Sequence, residues 1–427
     1  MRLLLKGARL VDPSQKIDAP KNLLIEKGRV EAILKPTEKV SNAKVIDLSG
    51  KIITPGLVDI HTHLREPGYE YKETIATGTR SALYGGFTAL ACMANTDPVN
   101  DSPAVTEYIL ERAREAGSVR VFPIGAISKE LEGKELSEMG SMVQAGAQGF
   151  SDDGKPVMDA DLMRRALEYA RGLDRVIISH PQDLNLSAGG VMNESPVSTK
   201  LGLAGIPASA EEVMVARDII LAKMTKGKLH LAHLSTKGSI ELVKRAKEEG
   251  ILFSCETCPH YFTLTEKAVE ESGYHPNTKV NPPLRSEEDK EAIIQALAEG
   301  VIDCISSDHA PHSLAEKEVE FDQADFGISG LETSLALGLQ LVHQKKLSLS
   351  RLVELMSTNP AKILGIDAGS LKPGSRADIT VIDLEKKWTV QPENFKSLGK
   401  NTPFAGMELK GKAVMVIIAG KIFDLEK

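Results

Sequence analysis

The chain has 427 residues, 42% of them apolar and 26% charged, with a formal net charge of −7. This is the make-up of a soluble globular protein with a large core and room for an appendage, and its acidity argues against a nucleic-acid or anionic-membrane surface. No apolar run approaches the roughly 20 residues that span a bilayer, and four cysteines in a chain of this length make no disulfide framework.

The N-terminal Met1-Arg2-Leu3-Leu4-Leu5 carries a charge and a short apolar run, too short for a signal peptide. A reducing cytoplasm is therefore the expected compartment. Residues 1–50 alternate short β-rich runs with turns, such as Asn22–Ile25 before Glu26-Lys27-Gly28-Arg29, and predict a small antiparallel sheet. The C-terminal end reads alike, with strands over Ala377–Asp383 and Ala413–Lys421. Two strand-rich ends around a different middle predict one discontinuous small β domain, residues 1–55 and 365–427.

From residue 56 to 364 short apolar runs alternate with amphipathic stretches such as Leu162–Arg171, Ala210–Met224 and Ser286–Glu299. The apolar runs are Ile53–Ile60, Gly86–Asn95, Val119–Gly125, Ala147–Asp153, Val176–His180, Leu229–His233, Ile251–Glu256 and Val301–Asp308. Eight such strands close a (β/α)8 TIM-like barrel. An open doubly wound sheet is the alternative, but no Gly-rich phosphate fingerprint follows the first strand.

His61, His63, Asn95, Asp153, His180, His233 and Asp308 all fall at the carboxyl ends of their runs. In a barrel those ends converge on the face that carries the active site. His61 and His63 are two apart, so on a strand they project to one side. Four imidazoles and two carboxylates exceed the roughly three protein ligands of one catalytic zinc. A pair of ions can use all six: His61, His63 and Asp308 on one, His180 and His233 on the other, with Asp153 as the bridge. Cations so placed lower the pKa of water, and Asp308 can then move protons to a leaving nitrogen, which suits cleavage or formation of a C–N amide bond. Arg65, two residues past the H-x-H pair, and His312, on the loop after the last strand, are natural partners for an anionic substrate group.

Asp59-Ile60-His61-Thr62-His63-Leu64-Arg65-Glu66-Pro67-Gly68, Met93-Ala94-Asn95-Thr96, Ser151-Asp152-Asp153-Gly154 and Ser307-Asp308-His309-Ala310-Pro311-His312 with Lys317 resemble the cyclic amidohydrolases, most closely the long dihydroorotases. Phe326–Thr333 and Asn359-Pro360-Ala361 fit as well. The resemblance runs nearly end to end. It implies zinc-dependent, reversible cyclisation of N-carbamoyl-L-aspartate to dihydroorotate plus water in pyrimidine synthesis. It also implies that Arg65, Asn95 and His312 hold the substrate carboxylate, with His63 and Leu64 beside them. Asn281 and the backbone at Phe326-Gly327 would complete the pocket, with Asp308 as general acid/base. Some relatives work with aspartate carbamoyltransferase, which makes that enzyme a possible partner, and a homo-oligomer is possible too. Many relatives bridge their metals with a carboxylated lysine; here Asp153 takes that place and Lys155 lies two residues on, which implies one or two zinc ions per chain, one site tight and the other weak in the second case. Thr62 stands where an aliphatic residue is commoner, and Pro181 where a cysteine is common. Alternatives are a hydantoinase, dihydropyrimidinase or allantoinase, which need no partner for a second carboxylate, and a silent barrel scaffolding the transferase.

Among weaker signals, Cys255-Glu256-Thr257-Cys258 is a C-x-x-C without a matching second pair. His230 reads as a packed or hydrogen-bonded histidine. The Gly-rich stretch Ser187–Met192 reads as a flexible loop near the site mouth.

Overall fold

A computed structural model describes residues 2–426. Eight parallel strands follow one another in sequence order: β1 (Leu57–Thr62), β2 (Phe87–Cys92), β3 (Arg120–Gly125), β4 (Gly149–Phe150), β5 (Val176–Ser179), β6 (Lys228–Leu231), β7 (Ser254–Thr257) and β8 (Cys304–Ile305). The ring closes where Thr62, at the end of β1, bridges His309 beyond β8, and His63 N–H donates to the His309 carbonyl at 2.8 Å. An open doubly wound sheet would keep its first and last strands apart; here they meet, as in a (β/α)8 barrel.

The three expected helices form as Ala160–Gly172, Ser209–Thr225 and Glu287–Glu299. Their starts follow local chemistry. The Asp159 carboxylate accepts from the N–H groups of Asp161 and Leu162, and Ser286 and Asp289 form a reciprocal capping box. No helix among the described residues is long and apolar enough to cross a membrane.

The chain ends build two further sheets. A four-stranded one has the order Arg29–Leu34, Asn22–Glu26, Arg2–Lys6, Lys44–Asp47. A six-stranded one has the order Lys421–Asp424, Glu408–Ile418, Ile379–Thr389, Ile52–Pro55, Arg9–Asp12, Ile17–Pro20. Leu3, Leu5, Leu23 and Ile25 of the first pack with Leu10, Ile53, Ile379, Val381 and Ile417 of the second in one buried cluster, so the two sheets form a sandwich. Asp12 pins the N-terminal part to the C-terminal one: its Oδ2 accepts the Leu371 N–H at 2.8 Å.

Two details differ from the sequence reading. The small sheets are not purely antiparallel: Arg2–Lys6 runs parallel to Lys44–Asp47, and Arg9–Asp12 parallel to Ile52–Pro55. The chain switches sheets after Lys6, so later strands return alongside earlier ones rather than folding back as hairpins. And the last strand, expected over Ala413–Lys421, is a hairpin of Glu408–Ile418 and Lys421–Asp424 turning on Ala419 and Gly420, both at positive φ.

The run Ile53–Ile60, read above as one strand, is also two. Ile52–Pro55 pairs with Ile379–Thr389 in the sandwich, and β1 starts at Leu57 in the barrel. Gly56 is the crossing point, because a Cβ there would lie 2.1 Å from Thr88 Oγ1 and 2.4 Å from Thr88 Cγ2. The Gly56→Ala variant is therefore expected to lose about 1–3 kcal/mol by overpacking, read as a lower denaturation midpoint; a midpoint equal to that of the parent chain would refute this account of the crossing.

Candidate metal centre

The site is built at the end of β1. Asp59 is fully buried, and its carboxylate takes the His61 N–H and the Ser307 N–H, both at 3.0 Å. It thereby ties the first strand to the loop after the last. Burial pushes its carboxyl up, to about 7.

Each imidazole is aimed by a neighbour. His61 Nδ1 lies 2.7 Å from Glu256 Oε1, so Nδ1–H donates there and Nε2 is left facing the site. His63 Nδ1–H donates to Asn95 Oδ1 at 2.9 Å, which again turns Nε2 inward. His180 directs Nδ1 inward, while its Nε2 meets Gln182 Oε1 at 3.0 Å and the Asn281 amide at 3.4 Å. His233 directs Nε2 inward, 2.7 Å from His180 Nδ1. Of the two aspartates that end the fourth run, Asp152 is spent on the loop after β3, accepting from the N–H groups of Ile127 and Ser128. Asp153 faces the imidazoles.

Asp153 Oδ1 is 3.3 Å from His61 Nε2, 3.2 Å from His180 Nδ1 and 3.5 Å from His233 Nε2. Its Oδ2 is 3.4 Å from His63 Nε2. Asp308 Oδ1 is 3.2 Å from His63 Nε2 and 3.6 Å from His61 Nε2. Charge-assisted hydrogen bonds would be shorter, about 2.7–2.9 Å. Two donors each bound at about 2.0–2.1 Å to a tetrahedral ion stand about 3.3 Å apart; the carboxylate–imidazole contacts cluster around that value, while the His180–His233 pair at 2.7 Å is closer. His61 Nε2, which faces the site, is buried with no hydrogen-bond partner among the described residues. The donor set thus fits metal ions by type, spacing and unmet need. Burial would raise the carboxyl groups of Asp153 and Asp308, but the imidazoles around them hold both below the usual carboxylate range.

The sequence-derived residues thus meet at one face, with His61 standing both with His63 and Asp308 and with Asp153 and His233. A cavity of about 470 Å³ opens over them, lined among others by His63, Arg65, Asn95, Asp153, His180, Asn281, Asp308, His312, Phe326 and Gly327. At its far side Arg65 Nε–H donates to the Pro311 carbonyl at 3.2 Å, and Arg65 Nη2 is 3.4 Å from His312 Nε2. His312 Nε2–H donates to the Phe326 carbonyl at 2.8 Å. Burial pushes His312 down, to about 4, leaving it uncharged at neutral pH. Lys317 Nζ donates to the Pro276 and Asp325 carbonyls and so braces the Phe326-Gly327 loop from behind. Arg65, His233 and Asp308 all have positive φ (62°, 34° and 46°), a clustering of left-handed backbone at the site.

One expectation is placed differently. The Leu64 side chain does not join the cavity; it is buried in the main core, against the position where Gly78 has no Cβ. Alternate residues of a strand end point to opposite sides, so Leu64 packs outward between two inward neighbours. The Ser187–Met192 loop contributes no lining residue, and Lys155 is exposed at the rim. Cys255 and Cys258 are free and buried, and burial pushes the Cys255 thiol up, to about 12, which leaves it inert at neutral pH. The residue of that motif with a part to play is Glu256: fully buried, it holds His61 and also meets His230 Nε2 at 3.2 Å. Reading the stretch for its cysteines hid it; the clue was a carboxylate on a barrel strand with no charge partner near it in sequence.

Comparison with known proteins agrees with this geometry. A family model described as dihydro-orotase-like matches residues 50–239, and one for the amidohydrolase family matches residues 215–424. A dihydroorotase of Syntrophus aciditrophicus is 56% identical over 99% of both chains, and one of Geobacter metallireducens is 53% identical, again over 99% of both. Among solved structures, the L-hydantoinase (dihydropyrimidinase) of Arthrobacter aurescens superposes with a TM-score of 0.88 at 28% identity, covering 98% of this chain and 95% of that one. The chain belongs to the dihydroorotase family of the metal-dependent amidohydrolases.

Proposed function

We propose that the chain catalyses the reversible conversion of dihydroorotate and water to N-carbamoyl-L-aspartate, with two zinc ions held by His61, His63, Asp153, His180, His233 and Asp308. The observation that carries this reading is that Arg65, His312 and Phe326-Gly327 line the same cavity as four of the six donors, His63, Asp153, His180 and Asp308. A cyclic amide that also bears a carboxylate spans those two ends; hydantoin, which lacks the carboxylate, would leave the Arg65 end unused.

In this reading His61, His63 and Asp308 would hold one ion and His180 and His233 the other, with Asp153 within reach of both sets. When bound, such cations lower the pKa of water and polarise the amide carbonyl. The substrate carboxylate sits against Arg65, His312 and Asn95, which fixes the ring so that its amide carbon faces the cluster. Asp308, ionised and beside His63, accepts a proton from the attacking water and delivers it to the ring nitrogen as the C–N bond breaks. In the reverse direction it takes that proton back. Glu256 and Asn95 keep His61 and His63 in the one tautomer that presents Nε2. All six donors come from this one chain, so aspartate carbamoyltransferase as a partner would order loops rather than supply ligands. The reading also assigns the chain to the cytoplasm.

The purified chain is expected to hydrolyse dihydroorotate and to leave hydantoin and dihydrouracil largely untouched; a preference for either neutral ring would replace this reading with a hydantoinase. Dialysis against a chelator is expected to abolish turnover and lower the melting temperature, with both restored by Zn²⁺, because a ligand bound only by the native state stabilises it. Asp308→Asn is expected to reduce kcat by roughly 10²–10⁴, the usual contribution of a positioned acid/base. Glu256→Gln, which keeps the shape but not the charge, is expected to weaken metal binding by roughly 10–100-fold, measured by competition with a chromogenic chelator; parental metal affinity would remove Glu256 from the account.

A further inference from the structure

The segment Lys396–Asn401, near the end of the chain, does not stay with the sandwich. It crosses to the rim of the barrel and is fastened there by two carboxylates. Glu332 Oε1 accepts the Lys396 N–H at 2.6 Å and the Ser397 N–H at 3.2 Å. Glu73 takes the Ser397 hydroxyl and the Leu398 N–H, and also meets His309 Nε2 at 3.2 Å. At the tip of this segment is Asn401, 5% exposed.

We propose that Asn401 is the positioning residue that sets the geometry of the carboxylate-binding end of the cavity, a role that rests on the substrate assignment made above. Its Oδ1 accepts the His312 N–H at 3.0 Å. The same oxygen lies 3.0 Å from the Ser329 hydroxyl, whose proton it shares with the Gly399 carbonyl at 2.8 Å. Its Nδ2 donates to the carbonyls of Ala310 at 3.2 Å and Gly327 at 3.0 Å. Its own backbone carbonyl accepts the Ser329 N–H at 2.7 Å. Both amide protons and the amide oxygen are therefore used, and the partners leave no ambiguity about which end is which: an N–H demands the oxygen, and two carbonyls demand the NH₂.

These bonds reinforce two loops that also touch directly, through the Ala310 N–H on the Ile328 carbonyl at 2.8 Å and His312 Nε2–H on the Phe326 carbonyl at 2.8 Å. One, Ala310–His312, carries His312; the other, Phe326–Ser329, carries the Gly327 backbone. They abut without slack: Gly327 has a φ of 131°, and a Cβ on it would lie 2.6 Å from Ala310 Cβ and 3.1 Å from His312 Nε2. Asn401 is not among the residues that line the cavity. It acts through His312 and Gly327, and a shift of either by an ångström would misplace the groups that receive the substrate carboxylate.

The test compares Asn401→Asp, which keeps the shape and turns both donors into acceptors against two carbonyls, with Asn401→Ala and the milder Ser329→Ala. Each is assayed for steady-state hydrolysis of dihydroorotate, metal content and melting temperature. For both Asn401 variants KM is expected to rise roughly ten- to hundredfold with kcat within about threefold of the parent, the signature of lost uniform binding, and with metal content unchanged. Ser329→Ala should raise KM by a smaller factor in the same direction, and it carries the test if the Asn401 variants do not fold. A merely structural role would lower the amount of active enzyme and leave KM alone, and that outcome overturns the proposal. Arg65→Met is run alongside. If it leaves KM for dihydroorotate unchanged, the substrate assignment itself has failed; if it raises KM while the Asn401 and Ser329 variants do not, only the role of Asn401 has failed.

Discussion

Four imidazoles around one buried carboxylate are the constraint to which the rest of this structure answers. Asp153 lies within 3.5 Å of nitrogens from His61, His63, His180 and His233, in surroundings where each of these side chains is at most 6% exposed. Groups of this kind cannot be gathered away from water unless their charges and lone pairs are matched. Every element that reaches the site contributes to the matching. β1 brings Asp59 and His61, the residue just past its end is His63, β7 brings Glu256, and the loop after β8 brings Asp308 and the Ser307 N–H that holds Asp59. The closed ring of strands is what allows side chains so far apart in sequence to share one centre.

Much of this was legible in the sequence because a barrel strand announces its end. A polar residue that terminates an apolar run must sit on a rim, and six such residues with ligand chemistry were enough to identify the face. Asp153 was picked over Asp152 because it is the last residue of its run, and the geometry gives that choice a reason: Asp152 is occupied by the backbone of Ile127 and Ser128. Substrate-side residues such as Asn281 and Gly327 lie in loops with no periodic pattern, and only the family likeness pointed to them.

What stayed hidden was tertiary. Glu256 looked like filler between two cysteines. Leu64 was grouped with its neighbours although a strand end alternates its faces. Asn401, Glu73 and Glu332 gave no signal, because each acts on loops more than sixty residues away along the chain. Ile53–Ile60 read as one apolar run although the expected domain boundary, between residues 55 and 56, fell inside it, where Gly56 carries the chain from one sheet to the other. The parallel pairings of the sandwich were missed because local turn signals predict hairpins, whereas a chain that alternates between two sheets does not form them.

The six-stranded sheet places Ile52–Pro55 between Arg9–Asp12 and Ile379–Thr389. As the polypeptide emerges from the ribosome, the N-terminal strands can assemble early, but one flank of Ile52–Pro55 stays bare until residue 379 and its neighbours have been made. A bare, apolar strand flank is an invitation to pair with foreign chains. The strand Ile379–Thr389 acts as the seal of that flank, and the segment Lys396–Asn401 that follows it finishes the cavity rim as well. The edge of a sheet in one domain and the working rim of the other are thus closed by the same stretch of chain, residues 379–401.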